Sequence, residues 1–188
     1  MKNITIVILG VAIVIAIIFW PKGDTSVVLA PTTYSTYADQ ALGISFTYSN
    51  GYFLEERDID TTRRLHRQII LMEDNEWNRK LARGEIKDTE GPPAITVDIF
   101  QNDLDRQSAR EFITGSNNSN YKLGPGTIST STKGDTVGLE YPWSGLYEGR
   151  SFVVANEDYV YMFSVSYLSP EDQIIDDFEA LLKTVTIR

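Results

Sequence analysis

A chain of 188 residues with 42% hydrophobic and 11% aromatic content has the makings of one packed domain plus an appendage, and is not a disordered polypeptide. The absence of cysteine excludes disulfides, thiolate nucleophiles, iron–sulfur clusters, cysteine-ligated zinc and lipid attachment through an N-terminal cysteine. The net charge is −9, and beyond Lys22 only 15 basic residues oppose all 26 acids, a net of −11 that repels phosphate backbones and anionic headgroups, so nucleic acid is not an expected partner.

The first element in chain order is apolar. Ile4 to Trp20 runs 17 residues without a charge. As a helix it would span about 26 Å, within tolerance of a bilayer core. Trp20 suits an interfacial position, and Lys22 can extend its ammonium toward headgroups. Pro21-Lys22-Gly23-Asp24 offers no small-x-small peptidase site, and Val28-Leu29-Ala30, the nearest candidate, lies far downstream before Pro31. The reading is an uncleaved transmembrane anchor over residues 1–21, from Ile4 to Trp20. The N-terminus is cytoplasmic because the amine and Lys2 outweigh Lys22 offset by Asp24. The alternative is a secreted protein after signal cleavage. Residues 22–38, rich in Thr, Ser and Pro, read as a flexible linker with a coil span of roughly 20–25 Å.

A domain is expected over residues 39–188. Leu42, Ile44, Phe46 and Tyr48 alternate with small or polar residues, the pattern of a half-buried strand. Ser49-Asn50-Gly51 is a turn into Tyr52-Phe53-Leu54. Leu65 to Met72 is a second clear strand, and the charged segment Glu73 to Lys87 a surface helix or excursion. Gly91-Pro92-Pro93 ends that segment before a strand at Ala94 to Phe100. Ser108-Ala109-Arg110-Glu111 has the spacing of a capping box ahead of Phe112 and Ile113. Four strands then follow at Thr127–Thr132, Thr136–Tyr141, Leu146–Ala155 and Tyr159–Tyr167, with short polar connections that imply antiparallel neighbours. Ser169-Pro170 is the expected start of a helix whose apolar face is Ile174, Ile175, Phe178, Leu181 and Leu182, with Asp176 and Asp177 on the other side. Thr184 to Ile187 completes the chain as an edge strand. The fold class is α+β, a mostly antiparallel sheet packed by helices.

Three stretches carry a family resemblance. They are Leu42–Tyr48 with Gly51-Tyr52, the strand Ile95–Phe100 before Glu111-Phe112, and the closing strands Ser151–Ala155 and Tyr159–Ser166 with the helix Ile174–Leu182 and Val185-Thr186-Ile187. In element order and aromatic placement, the segment from Tyr37 to Arg188 resembles the PsbP/Mog1-type α/β/α sandwich of exported bacterial domains. The resemblance implies a non-enzymatic interaction or assembly module.

The candidate sites are few. His66 is the only histidine, no Gly-x-Ser-x-Gly accompanies it, and Arg63, Arg64 and Arg67 beside it disfavour an imidazolium, so no catalytic residue is assigned. Arg63, Arg64 and Arg67 form the one basic cluster of an acidic domain. They would grip an acidic partner, or else neutralise Glu55, Glu56, Asp58 and Asp60. Asn102, Asp103 and Asp105 sit between a strand and a helix and are the best weak metal candidates, although no EF-hand pattern is present. Other acidic pairs, such as Glu157/Asp158 and Asp176/Asp177, belong to no motif. Trp143 and Tyr147 flank a turn and would serve as partner-binding anchors if exposed. Asn117-Asn118-Ser119 fits a glycosylation acceptor only in a eukaryotic secretory route. The expected function is a membrane-tethered, extracytoplasmic, non-enzymatic binding or assembly module. Its expected partners are the bilayer and an envelope protein, with no cofactor. The alternative is a carbohydrate-active or metal-dependent hydrolase of the envelope.

Overall fold

A computed structural model describes residues 33–60, 64–124 and 126–188. The expected anchor with Ile4 and Trp20, most of the expected linker, and Arg63 lie outside the described residues. Among the described residues, no helix is long and apolar enough to cross a membrane.

Among the described residues, ten strands and three helices follow in the order β1 (Tyr34–Asp39), β2 (Ile44–Ser49), β3 (Tyr52–Asp60), β4 (His66–Glu73), α1 (Glu76–Ala82), β5 (Ile95–Gln101), α2 (Ala109–Gly115), β6 (Ser129–Lys133), β7 (Thr136–Ser144), β8 (Glu148–Ala155), β9 (Tyr159–Tyr167), α3 (Gln173–Leu182) and β10 (Thr186–Ile187). Seven strands form one antiparallel sheet in the order β3-β4-β5-β9-β8-β7-β6, and β1-β2-β10 form a smaller one. The class is α+β, as the sequence pattern implies.

Alternation along the central strands sends alternate side chains to two cores. Ile69 and Leu71 of β4, Ile95, Val97 and Ile99 of β5, and Phe163 and Val165 of β9 meet Phe46 of β2 and Phe178, Leu181 and Leu182 of α3. On the other face, Phe100, Val160, Met162, Val153 and Tyr141 meet Phe112 and Ile113 of α2. The sheet is therefore covered on both faces, and α2 and α3 are each placed by an apolar stripe too short to fold alone.

Several boundaries differ from the sequence reading. Residues 34–38, expected to be linker, belong to β1, which pairs along its whole length with β2 from Tyr34↔Ser49 to Asp39↔Ile44. Tyr37 stacks on Phe46 at 5.1 Å between centroids, so a Thr/Ser/Tyr-rich segment finds a strand partner that composition cannot reveal. β7 runs through Pro142 and Trp143 to Ser144, and the turn narrows to Gly145-Leu146-Tyr147. α3 starts after Asp172, not Ser169, because the Asp172 carboxylate turns back to accept the N–H groups of Leu168 (2.8 Å) and Ser169 (3.0 Å). The capping box at α2 is present as expected, with Ser108 Oγ accepting from Glu111 N–H and the Glu111 carboxylate accepting from Ser108 N–H. The polar loop after it tightens into a short 3-10 helix at Asn120–Leu123.

Candidate functional site

At one end of the large sheet, β3 finishes, β4 begins and β5 runs into the loop that leads to α2. There the chain encloses a half-open cleft of about 610 Å³. Its wall is aromatic. The His66 ring lies 4.2 Å from that of Phe100, and Phe100 lies 4.9 Å from Phe112. Strand alternation puts these groups together, since His66 and Phe100 are register partners on β4 and β5. Arg64, Asn102, Asp105, Gln107, Ser116 and Asn118 supply polar groups, and Ile59 lies at the rim, half exposed.

Each carboxylate of Asp98, Asp103 and Asp105 in this region has a partner. Arg64 reaches Asp103 Oδ1 at 3.0 Å and also contacts Asp105, clamping the β5–α2 loop to the start of β4. Asp98 is 5% exposed, and its Oδ1 accepts from Gln68 Nε2 at 3.0 Å and faces His66 Nε2 at 2.8 Å. A carboxylate taken out of water needs such donors. It also orients the imidazole and favours the tautomer with hydrogen on Nε2.

Asn102, Asp103 and Asp105, the weak metal candidates, each have partners within the chain. Asn102 is buried with Nδ2 donating to the carbonyls of Gln107 (3.0 Å) and Asn156 (2.8 Å) and Oδ1 accepting from Gln107 N–H (2.8 Å), which makes it a loop staple. Asp103 and Asp105 spend their charge on Arg64, and among the described residues no three His, Asp or Glu side chains come together to hold a metal ion.

The basic cluster is divided. Arg64 belongs to the cleft. Arg67 lies one residue beyond His66 in strand alternation, on the opposite face, where it pairs with Glu56 (2.9 Å) and Asp58. Those contacts are the neutralising partners the sequence offered.

Trp143 and Tyr147 sit far from the cleft, at the opposite end of the sheet, and neither is an exposed tip. Trp143 is half-buried, its Nε1 donates to Ser151 Oγ at 3.0 Å, and its ring lies over Gly149, where an added Cβ would stand 2.2 Å from it. Tyr147 donates its hydroxyl to the Gly91 carbonyl at 2.6 Å. The large apolar side chain exposed at that turn is Leu146.

The pair His66–Asp98 escaped the sequence reading of sites. One signal was available: Asp98 is the single acid inside the apolar run Ile95–Phe100, and alternation places it on the face of His66 and Gln68.

The sequence matches no family model and no curated protein. Among solved structures, a protein from Bacteroides thetaiotaomicron VPI-5482 is similar over 81% of this chain, with 8% identity and a TM-score of 0.48, and the chain spans 48% of that protein. The solution structure of cyanobacterial PsbP (CyanoP) from Synechocystis sp. PCC 6803 is similar over 85% of this chain and 95% of its own length, with 12% identity and a TM-score of 0.52. At such identity the likeness concerns architecture alone. With helices on both faces of an antiparallel sheet and this element order, the chain has a PsbP-like α/β/α fold.

Proposed function

We propose that this protein is a membrane-tethered, extracytoplasmic binding or assembly module, without chemistry of its own, that takes an envelope protein at the cleft end of its sandwich. The observation that carries the reading is the state of the charges there. The carboxylates of Asp103, Asp105 and Asp98 are already matched, so beside Arg64 the cleft offers a recessed aromatic wall with Ile59 at its rim and the exposed Leu104 on the neighbouring loop. Apolar and aromatic groups ringed by polar ones whose carboxylates are paired suit protein recognition. The PsbP-like fold is compatible with that role, and fold by itself assigns no activity. A hydrolase would need free carboxylates facing each other across a site. The acids nearest this cleft are instead engaged by Arg64, His66 and Gln68.

The test is site-specific photo-crosslinking of the full chain in its native membrane. A probe at Leu104 should give one adduct of defined mass, lost on Ile59→Asp, while a probe at Val137 gives none. Equal adducts at both positions would overturn the assignment of the cleft end. Release of the chain by alkaline carbonate would overturn the tether.

A further inference from the structure

The seven-stranded sheet ends in two edge strands, β3 and β6. An edge strand leaves a row of backbone N–H and C=O groups without a ladder, and charged side chains along it oppose the addition of a further strand. β3 is guarded in that way. Glu55, Glu56, Arg57, Asp58 and Asp60 lie along it, four acids against one arginine, a net of −3. β6, with the sequence Ser-Thr-Ser-Thr-Lys, is bare by comparison. Its one charge, Lys133, is turned inward to Glu140 and Glu179 of the same chain. Ser129, Thr130 and Thr132 are exposed, and no proline interrupts the strand.

Register fixes which backbone groups of β6 face outward. The β6–β7 hairpin closes at the pair Lys133↔Thr136 across the two-residue turn Gly134-Asp135, whose first residue has φ +57°, a conformation suited to glycine. The closing pair of such a turn is hydrogen-bonded, and bonded and unbonded pairs alternate from there along the ladder. Lys133, Ser131 and Ser129 therefore bond to Thr136, Gly138 and Glu140 of β7, while Thr130 and Thr132 aim their N–H and C=O groups away from it. Among the described residues no other backbone group takes these up.

We propose that β6 joins two copies of this chain into a symmetric dimer, the two β6 strands pairing antiparallel about Ser131. In that register the strand is its own complement. Thr130 of each copy faces Thr132 of the other, and their outward N–H and C=O groups bond to continue the sheet from one copy into the next. Ser131 faces its counterpart on the two-fold axis, and Ser129 faces Lys133. An isologous contact needs a surface that matches itself. Here threonine meets threonine, a favourable cross-strand pair, and no acid meets an acid. That condition selects the edge, because two chains of net charge −9 repel each other over most of their surface. Self-pairing of β3 about its middle residue would set Glu56 against Glu56. Five residues a side are far fewer than the roughly 20–30 of a standard interface, so the dimer forms reversibly. β6 stands between Val137 and the second copy, about 10 Å away, so a side chain at position 137 does not reach it.

The chain has no cysteine, so a single introduced one reports the register. In the paired strands the two Ser131 residues lie about 4.5 Å apart, Cα to Cα, within the disulfide range, whereas the two Ser129 residues lie about 13 Å apart. The full chain carrying Ser131→Cys is oxidised with copper–phenanthroline, in cell extract and after purification in mild detergent. It should form a disulfide-linked dimer in about fivefold higher yield than the chain carrying Ser129→Cys. Adding Thr130→Pro removes an outward N–H that the fold itself does not use, and should lower the Ser131→Cys yield about fivefold with an unchanged circular dichroism spectrum. The unsubstituted chain supplies a measurement free of any folding defect: its mass in sedimentation should rise with concentration from 21.2 kDa toward twice that value. A mass that stays monomeric throughout would overturn the dimer. Equal yields at positions 131 and 129 would overturn the register. An extract adduct of another mass in place of the dimer would assign the edge to a foreign strand and overturn the proposal.

Discussion

Single side chains decide which expected anchors remain available. Trp143 was offered by the sequence as an exposed hook, yet its indole N–H is held by Ser151 Oγ, which also lies 2.7 Å from Ser164 Oγ on β9. Both serines are buried on the α2 side of the sheet, so this row of hydroxyls satisfies an otherwise orphaned donor. Ser151→Ala strands the indole N–H and the Ser164 hydroxyl together, and should cost about 1–3 kcal/mol of stability in urea unfolding. A loss of a few tenths would show that the row contributes little. What was legible at this scale was local. Arg67 finds Glu56 and Asp58 because the paired edge strand β3 lies beside it in register, two elements joined by a short connection. The His66–Asp98 contact joins residues 32 positions apart, and proximity of that kind has no trace in spacing.

Among the elements, α3 shows what fastens a short helix to a sheet. Phe178, Leu181 and Leu182 enter the core, and beside them Glu179 receives Lys133 of β6 at 2.9 Å. Arg150 of β8 approaches the same carboxylate at 2.7 Å, off the hydrogen-bonding direction, so that contact is Coulombic. Glu140 of β7 completes the network, 3.3 Å from Lys133. The four side chains are mostly shielded, which limits screening by solvent. Glu179→Ala leaves two cations facing one carboxylate, and should destabilise the domain by roughly 1–3 kcal/mol, less than a fully buried pair would. The checking measurement is the denaturant midpoint, and Glu179→Gln should fall between wild type and alanine. Helical periodicity announced α3 in the sequence. Its first residue was misplaced because Ser169-Pro170 is a strong local start signal, and only the folded turn lets Asp172 take the amides at 168 and 169.

For the molecule as a whole, two cores and a strand order with long-range partners make stability a property of all layers at once. Tyrosines placed across those layers give it a pH limit. Burial pushes Tyr141 up to about 12, and burial followed by the Glu56 charge does the same for Tyr37. Burial and the hydrogen bond to Asp177 raise Tyr52 further, and burial raises Tyr161, whose hydroxyl donates to the Leu42 carbonyl at 2.8 Å. In the unfolded chain these phenols ionise near pH 10. Their contribution is therefore complete below about pH 10 and is lost as pH rises toward 12, because the unfolded state releases protons that the fold retains. Urea midpoints should hold steady from pH 8 to about 9.5 and then fall. Tyr141→Phe should flatten that fall by up to about 1.4 kcal/mol per pH unit. An unchanged slope in the variant would exclude Tyr141 as a source.

Residue patterns along the chain were enough to specify the strands and helices whose periodicity is strong, the capping box at Ser108 and Glu111, and the α+β class with its PsbP-like order of elements. Each of these depends on residues close together along the chain, where backbone preference and apolar period act before any long-range contact forms. Long-range packing was needed to show that residues 34–38 are strand, that Trp143 points onto Gly149, that Asp103 and Asp105 pair with Arg64, and that His66 meets Asp98 beneath a cleft. Those outcomes depend on which strands become neighbours, and strand order is chosen by the collective burial of both faces of the sheet, not by any segment alone.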